Sequence, residues 1–206
     1  MSPHLLNHLS GNYDKVAKEV PLLVLMSLNV TEGAVGPVWK GYLDFPGEDR
    51  PSAIVAKFGE LDQLRHEASI YKRIENRGHG LDGIPTLIGL YNLPEHPMWG
   101  VLVQSDCGMS FVERPNVNKA QRLGLAIRFD ILSYHLSRAV LIGILRSLHE
   151  CGVVHGDLRR QNLLYSDDGL LCIIDFHLSY LVDGIPSQEI RTAEERQLNH
   201  ILDTLQ

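Results

Sequence analysis

Residues 155–176 constrain the fold of this chain more than any other stretch. They contain the segment HGDLRRQNLL and, after a short gap, LCIIDF. The pattern predicts a tight loop with Asp157 and Asn162, then two short apolar strands joined by a turn, the second ending at Asp175. Carboxylate and amide oxygens suit Mg²⁺, whose other ligands can be phosphate oxygens and water. The sequence therefore predicts a magnesium site, with one aspartate left to accept a hydroxyl proton.

The same residues resemble the catalytic loop and metal-binding motif of the protein kinase superfamily, H-R-D-L-x-x-x-N followed by D-F-G. The resemblance implies that Asp157 is the catalytic base and that Asn162 and Asp175 are the Mg²⁺ ligands. It also implies that Arg159 neutralises the γ-phosphate of ATP, from a position usually held by lysine.

Two positions depart from that pattern. Gly156 stands where the family usually has arginine, and His177 stands where it usually has glycine. The missing arginine would hold a phosphorylated activation loop, so we expect no control by phosphorylation of such a loop.

Size and charge exclude some classes of function. The chain has 206 residues, 44% of them hydrophobic, and a net charge of −6. This is enough apolar material for one compact domain or two small lobes. No basic tract indicates a nucleic-acid groove, and the apolar run at 21–30 is too short to span a bilayer and lacks the features of a signal peptide. We therefore expect neither nucleic acid nor a membrane as a partner.

The cysteines bear on the cellular compartment. Cys107, Cys151 and Cys172 are odd in number, have apolar neighbours and lack the spacing of a disulfide framework or a metal site. We expect reduced, mostly buried thiols and a cytoplasmic protein.

A glycine-containing turn follows the first apolar strand, predicted over 22–30. Gly33 and Gly36 would let the backbone approach phosphate oxygens closely, although an ordinary hairpin turn explains the pair as well. In register with the later motif, the turn resembles the kinase glycine-rich loop. Thr31 replaces the first glycine of that loop, and Pro37 removes one amide donor.

A lysine lies inside an apolar strand predicted over 52–58. Burying Lys57 is costly without an anionic partner, and an edge-strand lysine that reaches solvent is the alternative. A helix predicted over 60–76 offers Glu67 as the partner. The resemblance implies that Lys57 contacts the α- and β-phosphates of ATP and that Glu67 pairs with Lys57.

The other nucleotide contacts are implied by the resemblance alone. Strands predicted at 84–91 and 99–104 lead to Ser105–Gly108, which is similar to the hinge between kinase lobes. The remaining residues assigned to the nucleotide site are Val38, Val55, Gln104, Asp106 and Leu164. A helix cap or a solvated turn is the alternative role for Asp106.

The second half of the chain is predicted to be mainly helical. Residues 120–151 lack proline and have helical periodicity, which indicates two helices or one bent helix with a C-cap at Gly152. His149 is interpreted as a structural residue beneath the loop, and His155 as packing behind Phe176.

The chain after the second motif is short for a protein kinase. A closing helix is predicted over 192–205, with one side formed by Ala193, Gln197, His200 and Ile201. The tail resembles the minimal kinases of tRNA-modification complexes and lipopolysaccharide-kinase-like enzymes, and a protein partner that completes the short lobe is one expectation.

The expected fold is α+β and bilobal, with an antiparallel N-lobe that carries one helix and a truncated, mainly helical C-lobe. The expected boundaries are 1–19 for an N-terminal arm, 20–105 for the N-lobe and 106–206 for the C-lobe. The leading function is ATP- and Mg²⁺-dependent transfer of a phosphate to a Ser/Thr-type hydroxyl of an unknown acceptor, either a protein or a small molecule. The alternatives are a pseudokinase that binds nucleotide or acts as a scaffold, and a small-molecule kinase of the aminoglycoside or choline type.

Overall fold

The computed structural model describes residues 7–8, 22–32, 36–44, 51–78, 81–111, 131–166 and 169–204. The chain divides into two compact units. Unit 1 comprises Met1–Lys72 and Thr86–Asp106, and unit 2 comprises Arg73–Pro85 and Cys107–Gln206. The class is α+β, as the sequence predicts.

Unit 1 is built on a six-stranded antiparallel sheet. Its strands are β1 (Asn7–His8), β2 (Leu22–Glu32), β3 (Pro37–Asp44), β4 (Ser52–Glu60), β5 (Leu87–Leu93) and β6 (His96–Ser105). Their spatial order is β1-β5-β6-β4-β3-β2. Strand β4 is therefore paired on both sides, with Lys57 opposite Val38 on β3 and opposite Leu102 on β6.

One face of this sheet carries the core of unit 1. Side chains alternate between the two faces of a strand, so every second residue of β4 points the same way. Ile54 and Ala56 are fully buried on that face. They join a cluster whose other buried members are Leu43, Val101 and Val103.

A long helix, α1 (Leu61–Gly78), follows β4 without an intervening loop. Its buried stripe includes Leu61, Leu64, Ala68 and Tyr71, as the helical periodicity predicts. Because Glu60 is the last residue of β4, the helix begins immediately after the strand that carries Lys57. This direct connection accounts for the short spacing in sequence between Lys57 and Glu67.

Gly36 is required by close packing within unit 1. Its φ is +154°, and a Cβ there would lie 2.2 Å from the carbonyl oxygen of Phe58 on β4. Contact with the neighbouring backbone is thus sufficient reason for a glycine at this position. Gly33, the other glycine of the predicted turn, lies outside the described residues.

In its described residues, unit 2 combines two long helices with short strands. The helices are α2 (Ile131–Glu150) and α3 (Gln188–Asp203), and the strands are β7 (Met109–Ser110), β8 (Val153–Val154), β9 (Leu163–Tyr165), β10 (Leu171–Ile173) and β11 (Tyr180–Leu181). The strands form a three-stranded sheet in the order β10-β9-β7 and a two-stranded sheet, β11-β8. Short 3₁₀ helices span Arg160–Asn162 and Phe176–Leu178.

The core of unit 2 includes the C-terminal half of α2, which buries Leu141, Ile144, Leu145 and Leu148. Gly152 ends this helix region with φ +76°, as predicted for a C-cap glycine. The predicted helical region began at residue 120, and residues 112–130 lie outside the described part of the chain.

The closing helix predicted over 192–205 is helix α3, which begins four residues earlier than predicted. Helix α3 begins at Gln188, after the N-cap Ser187, and buries Glu194, Leu198 and Leu202. The residues predicted to share one side are not the buried ones: Ala193, Gln197 and His200 are exposed, and Ile201 is half-buried. The buried residues are four apart and share one stripe. Because one of them is a glutamate, a search for apolar periodicity does not detect this stripe.

Strand β1 pairs Asn7 with Asn92 and His8 with Tyr91. The N-terminal segment interpreted as a helix or an arm thus contributes a short strand to the sheet. All three cysteines are buried and none forms a disulfide, as predicted. Burial raises the pKa of the Cys151 thiol, which keeps this side chain protonated and unreactive.

Candidate active site

Lys57 and Glu67 form a buried ion pair in unit 1. Lys57 Nζ lies 2.8 Å from Glu67 Oε1 and 2.9 Å from Oε2. The two side chains are 9% and 0% exposed. The predicted pair is therefore present, and the alternative of an edge-strand lysine that reaches solvent is wrong because β4 is paired on both sides.

The strand register places the other predicted nucleotide-site residues of unit 1 beside this pair. Residues opposite each other in an antiparallel ladder share a face of the sheet. Val38 is opposite Lys57, and Val55 is opposite Gln104. These four side chains therefore lie on the face of the sheet opposite the core cluster. Sequence reasoning named them from the resemblance, and the register brings them together.

Two polar pairs were not indicated by the sequence. Lys40 Nζ lies 3.0 and 2.9 Å from the two carboxylate oxygens of Asp106. The hydroxyl of Tyr71 donates to Gln104 Oε1 at 2.7 Å, and Gln104 is only 4% exposed. Asp106 and Gln104 thus have protein partners whose positions follow from the tertiary fold and not from local sequence.

In unit 2, Asp157 and Asn162 meet across the predicted loop. Asn162 Nδ2 donates to the backbone oxygen of Asp157 at 2.8 Å and to its Oδ2 at 3.1 Å. The amide nitrogen is thereby committed to Asp157, so Oδ1 is the atom of Asn162 suited to a metal ion. Asn162 is buried, at 3% exposure.

Asp175 is brought to the same loop by the β9–β10 hairpin. The N–H of Ile174 donates to the backbone oxygen of Asn162 at 3.0 Å, which fixes the end of β10 against the loop. Asp175 then adopts φ 73° and ψ 72°, and among the described residues it alone has a positive φ without being glycine. Such conformations are costly and cluster at functional sites.

Arg159 supplies a positive charge to both aspartates. Its Nε lies 3.0 Å from Asp157 Oδ2, and its Nη2 lies 3.7 Å from Asp175 Oδ2. The arginine side chain is 44% exposed, so water screens these contacts. The predicted group of Asp157, Arg159, Asn162 and Asp175 is therefore assembled in unit 2.

The oxygens in this group fit a hard divalent cation. Asn162 and Asp175 offer an amide and a carboxylate oxygen, the donor types that Mg²⁺ takes alongside phosphate oxygens and water. One ligand atom each from Asp157, Asp175 and His177 lie within 4.8 Å of one another. Leu164, the remaining predicted nucleotide contact, is buried in an apolar cluster with Cys107 and Cys172.

Comparison with known proteins places this arrangement in a family. The sequence profile described as the RIO domain matches residues 96–202, which is more than half of the 206-residue chain. The chain belongs to the RIO domain family. This is an atypical protein kinase-like family of ATP-binding phosphotransferase domains, so the predicted kinase-like fold is confirmed. The match contains the loop with Asp157 and does not reach Lys57 or Glu67.

A second similarity is to a plant protein kinase. Over 59 residues, the chain is 37% identical to Protein kinase PINOID 2 of Arabidopsis thaliana. The aligned stretch is 29% of this chain and only 11% of the plant protein. The similarity therefore extends to a small part of that kinase.

Within the RIO domain, the candidate catalytic loop that carries Asp157 is held by a buried carboxylate that sequence reasoning missed. Glu194 Oε1 accepts a hydrogen bond from the N–H of Gly156 at 2.8 Å, and Oε2 accepts one from the N–H of His155 at 3.3 Å. His149 Nε2 donates to the same Oε2 at 2.7 Å. The available signal was a glutamate four residues before Leu198 on an otherwise apolar stripe.

Helix α3 contacts the loop at two further points. Gln197 Nε2 donates to the backbone oxygen of Leu158 at 2.7 Å, and Arg160 Nη2 donates to the backbone oxygen of Thr204. The closing helix thus binds the backbone of the catalytic loop on both sides of Asp157.

The hydrogen bonds around Glu194 keep it ionised. Burial alone would raise the pKa of Glu194, but donation from His149 and from the N–H groups of Gly156 and His155 outweighs burial and lowers it. An ionised carboxylate accepts through both oxygens, which is what the loop requires.

His155 is a structural residue, as predicted. Its ring centroid lies 5.2 Å from that of Phe176, and burial lowers the pKa of His155, which keeps the imidazole neutral. In the neutral form, Nε2 donates to the oxygen of Ile174 at 3.0 Å and Nδ1 accepts from the N–H of Asp157 at 3.2 Å. His149 is likewise buried and packs beneath the loop.

Gly156 departs from the kinase pattern for a geometric reason. Its φ is +76°, and a Cβ there would lie 2.6 Å from the backbone oxygen of Leu178. An arginine at this position would force either the loop or the segment after Phe176 to move.

Among the helices that the structure describes, none is both long and apolar enough to cross a bilayer.

We expect the Lys57–Glu67 pair to behave as a coupled unit in unfolding experiments. Lys57→Met or Glu67→Leu alone leaves one buried charge unpaired, which should destabilise the protein by about 3–5 kcal/mol. The double variant removes both charges and should be more stable than either single variant. Urea unfolding of the four proteins measures the coupling. If the stability loss of the double variant equals the sum of the two single losses, the two charges do not depend on each other.

Glu194→Gln should destabilise the protein in a pH-dependent way. The loss at neutral pH should be about 1–3 kcal/mol, because the glutamine cannot accept from three donors with two charged oxygens. The folded-state pKa of Glu194 lies below its ordinary value of 4.5, so its contribution is present above that pH and disappears as the pH falls through the folded-state pKa. The stability difference from wild type should therefore shrink in acid.

The control for this experiment is the adjacent Glu195→Gln. Glu195 pairs with Arg146 on the surface, where water screens the interaction. This variant should lose much less stability than Glu194→Gln. An equal loss in the two variants, or a Glu194→Gln effect that is constant with pH, would contradict the assigned role of Glu194.

Proposed function

We propose that this chain transfers the γ-phosphate of ATP to a Ser/Thr-type hydroxyl with the help of a bound divalent cation. The observation that carries the proposal is the convergence of Asp157, Asn162 and Asp175 on one loop within a RIO domain. Phosphoryl transfer needs little covalent chemistry from a protein, so catalysis rests on position and charge. The loop would supply position through the contact between Asp157 and Asn162, and charge through Arg159 and the bound cation.

Unit 1 would hold the phosphates of ATP. Lys57 is buried and kept in place by Glu67, so its ammonium is oriented before nucleotide binds. Gly36 directly precedes β3, the strand that carries Val38, and its backbone would cover the phosphates; the kinase resemblance assigns the same role to Gly33. Val38, Val55 and Gln104 share the sheet face with Lys57 and would line the base, with Asp106 near the ribose.

Unit 2 would hold the metal ion and the acceptor. Asn162 and Asp175 have the oxygen donors for Mg²⁺, which when bound neutralises charge on the phosphate oxygens. Asp157 would accept the proton of the acceptor hydroxyl and orient its oxygen. Arg159 now lies against Asp157, and its exposed side chain would turn toward the γ-phosphate.

A pseudokinase that binds nucleotide without transferring phosphate is the second candidate. The observation in its favour is Arg159, whose guanidinium lies 3.0 Å from the carboxylate proposed as the base. In that state Asp157 is less available to an acceptor hydroxyl.

The three buried cysteines, none of which forms a disulfide, support a cytoplasmic location. The kinase-like family supports a protein or a small molecule with a hydroxyl as acceptor. Identifying the product that carries the label from γ-labelled ATP distinguishes the two.

Asp157→Ala should separate catalysis from nucleotide binding. It removes the group that orients the acceptor, so labelled-phosphate transfer from γ-labelled ATP should fall by about 10²–10⁴-fold. The affinity for ATP with Mg²⁺, measured by calorimetry, should stay within a few-fold of wild type because Asn162 and Asp175 remain.

Asp183→Ala is the matched control, since Asp183 is an exposed aspartate of the same unit. It should transfer phosphate as wild type does. Equal transfer by wild type and Asp157→Ala would rule out Asp157 as the base. Binding of ATP without any transfer by wild type would favour the pseudokinase.

A further inference from the structure

His177 occupies a position from which it can share a ligand with Asp175. It lies in the 3₁₀ helix Phe176–Leu178 and its side chain is only 12% exposed. Its Nδ1 lies 3.1 Å from Asp175 Oδ1. The metal ligands proposed so far, Asn162 and Asp175, bind a cation through oxygen atoms alone. Neither of them requires a histidine at position 177.

The separation of these two atoms matches that of neighbouring ligands on one ion. Two ligand atoms at right angles, each about 2.1 Å from a metal ion, lie about 3.0 Å apart. The value between His177 and Asp175 is 3.1 Å. Ligand atoms of Asp157, Asp175 and His177 all lie within 4.8 Å of one another, slightly more than the distance of about 4.2 Å between opposite ligands. An ion can therefore contact this group after small side-chain movements.

Arg159 and His177 face different carboxylate oxygens of Asp175. Arg159 contacts the Oδ2 atoms of Asp157 and Asp175, whereas His177 faces Oδ1 of Asp175. An ion between His177 and Asp175 would use a different carboxylate oxygen from the one that the guanidinium uses. The two cations can thus be accommodated by the same aspartate.

We propose that His177 is a direct ligand of the divalent cation held by Asp175, and that this chain prefers a first-row transition ion to Mg²⁺. The proposal rests on the function proposed above, in which Asp175 and Asn162 hold the cation. Mg²⁺ is a hard ion that favours oxygen ligands and retains water, whereas imidazole nitrogen suits transition metals. One imidazole added to carboxylate and amide oxygens therefore shifts the preference toward an ion such as Mn²⁺.

Mn²⁺ is a suitable probe because it is paramagnetic. Binding to the full chain is measured without nucleotide from the loss of the free Mn²⁺ resonance signal, and pulsed resonance detects ¹⁴N coupled to the bound ion. Mg²⁺ affinity comes from competition with Mn²⁺. The variants are His177→Ala, His177→Gln and Asp175→Asn, with His200→Ala as the control, since His200 is an exposed histidine of the same unit.

We expect nitrogen coupling in wild type and in His200→Ala, and none in His177→Ala. Mn²⁺ affinity should fall by about tenfold or more in His177→Ala, by analogy with the loss of groups that support metal ligands. Mg²⁺ affinity should change little. His177→Gln replaces the nitrogen with an amide oxygen. It should reduce the ratio of the Mn²⁺ affinity to the Mg²⁺ affinity. Thermal unfolding of each variant without metal shows whether it is folded.

Two results would overturn the proposal. If bound Mn²⁺ shows no nitrogen coupling in wild type, or if folded His177→Ala and His177→Gln bind Mn²⁺ as wild type does, His177 is not a ligand. Phosphate transfer from ATP, tested separately with Asp157→Ala, would still stand in that case. If Asp175→Asn binds Mn²⁺ as wild type does, the ion lies elsewhere and the metal assignment in the proposed function fails as well.

Discussion

The loop that carries Asp157, the proposed catalytic base of this RIO domain, depends on the buried carboxylate of Glu194. The loop is neither helix nor strand where it carries Asp157, so its backbone N–H groups have no ladder partners and need acceptors. Glu194 accepts from two of them, at His155 and Gly156, and His149 holds the carboxylate from the other side. Without this acceptor, buried donors would be unsatisfied and other loop conformations would compete.

This interaction connects helix α3 to the loop that carries the proposed base. Asp157 follows Gly156 directly, and its own N–H is held by His155. Gln197 on the same helix binds the oxygen of Leu158, so the backbone is fixed just before and just after the proposed base. The short segment after the second motif thus performs a structural task, and helix α3 is the element that performs it.

The sequence predicted the parts of the site that lie in local patterns. The loop with Asp157 and Asn162, the strand ending at Asp175 and the buried lysine are each recognisable within a few residues. The Lys57–Glu67 pair was predictable because only ten residues separate the partners and a buried lysine needs an anion. The structure adds the register that places Val38, Val55 and Gln104 on one sheet face.

Partners far apart in sequence could not be predicted in the same way. Lys40 and Asp106 are 66 residues apart, and Glu194 and Gly156 are 38 apart. A chain with many acidic and basic residues offers many such pairs, and only strand order and helix placement select among them. For the same reason, the role of Glu194 on α3 could not be predicted from the sequence. The requirement for glycine at 156 also became clear only from the nearby oxygen of Leu178.

Hydrogen exchange of the His155 and Gly156 amides, followed by NMR, tests the role of Glu194 most directly. Both amides are bonded to the carboxylate, so they should exchange slowly in wild type at neutral pH. In Glu194→Gln their exchange should accelerate, while in Glu195→Gln it should match wild type. Unchanged protection of both amides in a folded Glu194→Gln protein would contradict the conclusion that this carboxylate holds the catalytic loop.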